Sequence, residues 1–110
     1  MQTQVTLLSL KPSVALSRRI REKALALERY HPHILHCRVT VAQEEKRGTT
    51  GRPYLVTIRL GIPGRELVAD HRHHVDPFLA VRDAFAGMRR QLQRSHDEEH
   101  DIATGARARP

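Results

Sequence analysis

The chain has 110 residues, of which 39% are hydrophobic and 28% charged, so it can form one soluble domain with a modest core. Nineteen lysines and arginines against twelve acidic residues give a net charge of +7, which favours a polyanionic partner, either nucleic acid or an anionic membrane surface. No apolar run approaches the roughly 18 residues that a membrane span needs, and composition therefore excludes an integral helical membrane protein.

The N-terminal third predicts a strand and then a helix. Val5 and Leu7 begin the strand, which ends near Lys11-Pro12. Ser13 is a suitable N-cap for the helix, and His31-Pro32 should end it, because the residue before a proline disfavours helical angles. Between them, apolar residues recur at helical spacing: Leu16, Ile20, Ala24, Leu27 and Tyr30.

Three further strands are predicted in the middle of the chain. Apolar and polar residues alternate from Leu35 to Val41 and again from Tyr54 to Ile62, as in half-buried strands. The polar segment 43–52, with two glycines, predicts a hairpin loop. After a turn at Pro63-Gly64, a shorter strand carries Leu67, Ala69 and His71.

The second helix has a clear beginning. Asp76 stands at the N-cap position and Pro77 at the first helical position, which both residue types favour. Its apolar stripe consists of Phe78, Val81, Phe85, Met88 and Leu92. The apolar period is lost after Ser95, so residues 1–96 are expected to form the domain and residues 97–110 a flexible charged tail.

The predicted order is therefore β-α-β-β-β-α. Its apolar faces can cover one another if both helices pack on one face of a four-stranded antiparallel sheet. We predict an α+β fold, a two-layer sandwich.

The basic residues of the helices fall on particular faces. At about a hundred degrees per residue, Arg19 and Lys23 lie on one flank of the first apolar stripe, whereas Arg18 lies opposite it. In the second helix, Arg82 and Arg89 lie on a flank, and two further arginines point away from the core. If the helices are adjacent, the flank residues border a groove that could follow a phosphate backbone. The candidate RNA-binding residues are Arg18, Arg19, Lys23, Arg82, Arg89, Arg90 and Arg94.

Solvation alone is an equally good explanation for any single one of these arginines. The excess of positive charge over the whole domain favours a role in binding. Residues 1–96 contain seventeen basic and eight acidic residues, whereas residues 97–110 contain two basic and four acidic residues. Like charges at neighbouring helical positions cost a few tenths of a kcal/mol per pair. An acidic polymer as partner would offset that cost.

Other chemistry has little support. A zinc site needs three or four converging ligands, and one cysteine with scattered histidines makes a weak case for such a site, so no metal or other cofactor is expected. No nucleophile motif, phosphate-binding glycine loop or apolar pair of carboxylates indicates an enzyme. Cys37 is in phase with the apolar residues of its strand and should be a core residue. A lone cysteine and the lack of a signal peptide favour the cytoplasm.

Several short motifs occur together in this chain: Ser13-x-Ala15-Leu16, Glu22-Lys23, Leu27-Glu28-Arg29-Tyr30, Ile62-Pro63-Gly64 and the segment Glu66 to Leu92. In order and approximate spacing they closely resemble the ribosome hibernation promoting factors, also called ribosome-associated inhibitor or sigma-54 modulation proteins. The resemblance covers roughly Gln2 to Ser95. It departs from the family pattern at Pro77, Phe78, Arg82 and Gln93, and in the histidines of segment 71–74.

The resemblance implies a domain similar to the double-stranded-RNA-binding fold. It also implies binding to 16S rRNA in the decoding region of the small ribosomal subunit, which blocks tRNA and mRNA and silences idle ribosomes. Lys23 and Arg90 match the family motifs most directly, Arg89 and Arg94 less so. The chain resembles the short form of the family. We expect a monomer that uses neither a membrane nor a small-molecule substrate.

Two alternatives remain open from the sequence. One is a protein-binding regulator that keeps the fold without ribosome affinity, and the other is a general RNA-binding module.

Overall fold

The computed structural model describes residues 1–44, 53–73 and 75–104. Its elements follow the predicted order, with a short 3-10 turn, Leu27–Arg29, at the end of the first helix. The elements are β1 (Gln2–Leu8), α1 (Val14–Ala26), β2 (His36–Gln43), β3 (Tyr54–Ile62), β4 (Arg65–His73) and α2 (Pro77–Thr104).

The four strands form one sheet in the order β1-β2-β3-β4. β2, β3 and β4 are joined as antiparallel hairpins, but β1 pairs with β2 in parallel, from Gln2↔His36 to Leu8↔Ala42. The sheet is therefore mixed, and the prediction of an antiparallel sheet is wrong for this pair. The reason is the connection: α1 carries the chain back along the sheet, so β2 starts at the same end as β1.

Side-chain caps fix the starts of both helices, as predicted. The Leu16 N–H donates to Ser13 Oγ at 3.1 Å, and the Phe78 N–H donates to Asp76 Oδ1 at 2.8 Å. Between β3 and β4, Gly64 has a φ of 88°, a conformation that glycine adopts without steric cost. These local signals set where each helix meets the sheet.

Both helices pack on one face of the sheet. Val39, Ile58 and Ala69 face them from neighbouring strands and are buried, together with the stripes of α1 and α2. Cys37 is buried in the same cluster, as predicted. Leu35, which the alternation placed on the same buried face, is 56% exposed. The reason is that β2 begins only at His36, and Ile34 is buried in place of Leu35. Neither of the two described helices lies on the other face of the sheet.

The helical backbone of α2 continues into the first part of the predicted tail, as far as Thr104. No glycine or proline occurs between Gly87 and Gly105, so nothing in the sequence interrupts the helix. The Arg65 guanidinium donates to Ser95 Oγ and lies 3.8 Å from Glu98 Oε2, which ties the start of β4 to α2. The flexibility of residues 97–110 stays a prediction.

Most of the predicted hairpin loop, residues 45–52, and His74 lie outside the described residues. β2 and β3 do form a hairpin, since their pairing continues to Gln43↔Tyr54, the pair next to the connecting loop. No helix among the described residues is long and apolar enough to cross a membrane.

Candidate nucleic-acid interface

The two helices lie beside each other and leave a groove of about 220 Å³ between them. Leu27 and Phe85 form its apolar floor, and both are buried in the core. Lys23 reaches it from α1, and Arg82 and Arg89 reach it from α2. We call this surface the inter-helix groove, lined by Lys23, Ala26, Leu27, Tyr30, Arg82, Phe85, Ala86 and Arg89.

Two arginines beside the groove lie over aromatic rings of the opposite helical segment. The Arg19 guanidinium of α1 is 5.8 Å from the ring centre of Phe78 in α2, and the Arg89 guanidinium of α2 is 5.9 Å from that of Tyr30. Stacking on a ring restrains the planar guanidinium and leaves N–H groups at its edge for an anion. The groove thus has a restrained cation at either end.

Nearby carboxylates affect these cations unequally. Arg82 Nε donates to Asp83 Oδ1 at 2.9 Å, and this hydrogen bond, with the charge of Asp83, raises the pKa of Arg82. Arg19 Nε lies 3.7 Å from Glu22 Oε1. No carboxylate among the described side chains, those of residues 1–44, 53–72 and 75–98, forms an ion pair with Lys23 or Arg89. Of the cations at the groove, these two are therefore more available to an external phosphate than Arg19 and Arg82 are.

Four of the seven candidate residues are brought together here, as the flank positions predict: Arg19, Lys23, Arg82 and Arg89. Arg18 is not. It lines a separate cavity against β1, on the other flank of α1. Arg90 and Arg94 are exposed on α2 outside the lining of the groove. The candidate set therefore divides into one cluster and three outlying arginines.

The sequence did not reveal the role of Tyr30 and Phe78. Both were assigned to apolar stripes, and both do pack against the core, but each is only partly buried and supports an arginine. Tyr30 is the last member of the first apolar stripe and Phe78 is the first member of the second, so both lie at the margin of the core. An aromatic residue at such an end, with an arginine on the facing helix, is the signal that could have identified them.

His31 and His71 make local contacts within the fold. Buried His31 accepts a hydrogen bond at Nδ1 from the His33 N–H at 3.0 Å, and its ring meets His96 edge-on. His71 Nε2 lies 3.3 Å from Asp83 Oδ2 and links β4 to α2. No group of three or more potential ligands could hold a metal ion in the part of the chain that the structure describes.

Comparison with known proteins gives one family match. A profile of the family described as "Sigma 54 modulation protein / S30EA ribosomal protein" matches residues 3–100, which is most of the chain. No curated protein matches the sequence.

Two solved structures share the fold. One is the N-terminal domain of Protein Y from Thermus thermophilus, with 18% identity and a TM-score of 0.69 over 86% of this chain and 98% of that one. The other is a ribosomal subunit interface protein from Coxiella burnetii, with 18% identity and a TM-score of 0.70 over 88% and 99%. At this identity the likeness concerns the fold.

Proposed function

Since the chain belongs to the family of sigma 54 modulation proteins and S30EA ribosomal proteins, we propose that it is a ribosome hibernation factor. It binds 16S rRNA in the decoding region of the small subunit and so blocks tRNA and mRNA. The Coxiella burnetii protein of the same fold is described as a ribosomal subunit interface protein, which supports an association with ribosomes. In this role the chain acts in the cytoplasm as a monomer and is not an enzyme.

The inter-helix groove carries this proposal. Lys23 and Arg89 have no described carboxylate partner there, and Arg19 and Arg82 extend the positive surface. A guanidinium group already lies over the ring of Tyr30 and another over the ring of Phe78. These two rings are therefore poor platforms for stacked bases. The groove is therefore suited to the phosphate backbone of a folded RNA.

The outlying arginines have different places in this proposal. Arg90 and Arg94, on the exposed side of α2, supply further phosphate contacts if the RNA surface is concave around that helix. Arg18 contributes only if the RNA also reaches the opposite flank of α1. Binding is therefore expected to depend most on the groove cations.

Co-sedimentation with purified ribosomal subunits tests the proposal. A hibernation factor pellets with the small subunit, whereas a general RNA-binding module pellets with both subunits. A protein-binding regulator, the role that the sigma 54 name of the family suggests, pellets with neither. Either of the last two results would contradict the proposed function.

Salt should weaken the binding steeply. If the three cations of the groove and the adjacent Arg19 each neutralise one phosphate, counterion release predicts that affinity falls about 50- to 150-fold between roughly 50 mM and 200 mM monovalent salt. The co-sedimentation experiment, repeated along a salt series, measures the slope. An affinity that is indifferent to salt would point to an interface with a ribosomal protein.

Removal of residues 97–110 should leave binding equal or slightly tighter, because the segment contains four acidic and two basic residues and acids repel rRNA phosphates. The melting temperature should hardly change. Ser95, the buried partner of Arg65, is retained, and among the described side chains the exposed contact with Glu98 is the ion pair that is lost. Thermal melting and subunit binding of the truncated protein check both points. A marked loss of binding would instead assign an anchoring role to Arg107 and Arg109.

A further inference from the structure

A second groove lies on the opposite flank of α1, against the edge of the sheet. Its cavity, about 580 Å³, is larger than the inter-helix groove and is lined mainly by apolar atoms. Val14 is 76% exposed and Leu25 64% exposed, which is unusual for two aliphatic residues on one helix face. We call this surface the edge groove, lined by Leu7, Val14, Ser17, Arg18, Arg21 and Leu25.

The floor of the edge groove meets an unpaired strand edge. β1 is the first strand of the sheet and pairs only with β2 among the described strands. The Gln2 N–H donates toward β2, to Leu35 O, whereas Thr3 O accepts from Arg21 on the other side. Because backbone groups alternate in direction along a strand, those of Val5 and Leu7 also face outward. They can pair with another strand.

The strand carries no protection against such pairing. Residues 2–8 contain no charge and no proline, the features with which edge strands usually avoid added strands. Within the described part of the chain, Arg21 donates a hydrogen bond to the carbonyl of Thr3 and to no other group of β1. The remainder of the edge, next to the exposed aliphatic side chains of Val14 and Leu25, combines main-chain pairing with side-chain pockets.

Charge decides what kind of strand fits. Arg18 and Arg21 line the groove, and neither forms an ion pair with a described carboxylate. Glu22, also at the rim, is directed to Arg19 at 3.7 Å. A second copy of this chain would bring a further net charge of +7, which disfavours self-pairing. RNA would leave the aliphatic floor and the strand edge unused.

We infer that the edge groove binds an extended, acidic and apolar segment of a partner protein, which adds a strand to β1. Main-chain hydrogen bonds form with Val5 and Leu7. The side chains of the added strand that point toward α1 supply both the apolar groups that enter the cavity between Val14 and Leu25 and the carboxylates that meet Arg18 and Arg21. The inference goes beyond the proposed function, because this groove is separate from the inter-helix groove. A protein bound to RNA through one flank of α1 could hold the segment on the other.

The test uses the full chain and a capped peptide of about seven residues. On the peptide face that points toward α1 the residues are valine and glutamate in turn, and threonine occupies the positions between them. Binding should shift the amide NMR signals of Val5 and Leu7 and slow their hydrogen exchange. N-methylation of the peptide residues whose N–H groups face β1 should abolish binding, whereas methylation of the residues between them should not. A peptide with lysine in place of glutamate should bind at least about fivefold more weakly. Shifts confined to the inter-helix groove, or equal tolerance of both methylated peptides, would overturn the inference.

Variants of the protein separate this site from the proposed RNA interface. Val14→Asp and Arg18→Glu change exposed side chains and should preserve the fold, yet each should weaken the acidic peptide at least about fivefold. Arg90→Glu, with the same charge change on α2, should not. If Val14→Asp instead abolishes a concentration-dependent dimer, the occupant is a second copy. If single-stranded RNA shifts the same amides more strongly than the peptide, the groove belongs to nucleic acid. Both results would contradict a protein segment.

Discussion

Replacement of both Lys23 and Arg89 by glutamate is expected to abolish binding to the small ribosomal subunit. The two changes place negative charges where no described carboxylate now balances the cations, so two phosphate contacts become two repulsions. We expect a loss of at least about 100-fold at moderate salt. Titration of the labelled protein with purified subunits measures it.

A matched variant controls for overall charge. Arg29→Glu with Arg38→Glu lowers the net charge by the same amount, and both residues are exposed and lie outside the inter-helix groove. This control should bind within a few-fold of the original protein, since it removes only long-range attraction. Both variants should melt near the original temperature, because Arg29, Arg38 and Arg89 are exposed and Lys23 lies outside the buried core. Substitutions of surface residues usually change stability by less than about 0.5 kcal/mol. Equal losses in the two variants would mean that charge alone, not the groove, governs binding.

Phe85→Ala should have the largest effect on stability. The ring is 4% exposed and lies both in the core and under the groove. Loss of a buried phenylalanine costs roughly 3–5 kcal/mol, a large part of the 5–15 kcal/mol typical of a whole domain. Urea unfolding followed by circular dichroism measures the cost, and the slope should be unchanged.

Phe78→Ala offers the matched comparison. Phe78 is only partly buried, so its loss should cost clearly less than the loss of Phe85, but it also removes the ring beneath Arg19. The free energy of binding to the subunit should therefore decrease by more than the free energy of unfolding does. If Phe85→Ala costs less than about 1 kcal/mol, the core does not depend on the junction between α1, α2 and the sheet.

Local signals predicted the elements well because their causes are local. Ser13 and Asp76 cap the helices by hydrogen bonds to residues two or three positions away, and the alternation around Val39 and Ile58 reflects one buried sheet face. The parallel direction of β1 and β2 depends instead on the path of the chain through α1. No periodicity within a strand contains that information.

The candidate site shows the same limit. Helical spacing placed Arg19 and Lys23 on one flank of α1, and the structure puts that flank beside α2. The spacing of Arg18 and Arg21 could not show that the opposite flank meets a bare strand edge. Likewise, the contact of Arg89 with Tyr30 joins residues far apart in the sequence. Such pairs become visible only once the two helices are packed.

A single introduced cysteine can report where the groove lies on the ribosome. The native Cys37 does not interfere, because it is buried and burial raises the pKa of its thiol to about 11. At neutral pH it holds almost no reactive thiolate. Ala86→Cys places a thiol in the inter-helix groove, and Val68→Cys places one on the helix-free face of the sheet, where Val68 is 38% exposed.

Hydroxyl-radical cleavage of 16S rRNA from an iron chelate on each cysteine tests the central claim most directly. From position 86 the proposal predicts strong cleavage confined to the decoding region, which disappears when mRNA and tRNA occupy the subunit. From position 68 it predicts much weaker cleavage. Strong cleavage from position 68 alone, or cleavage from position 86 outside the decoding region, would contradict the claim that the inter-helix groove binds there.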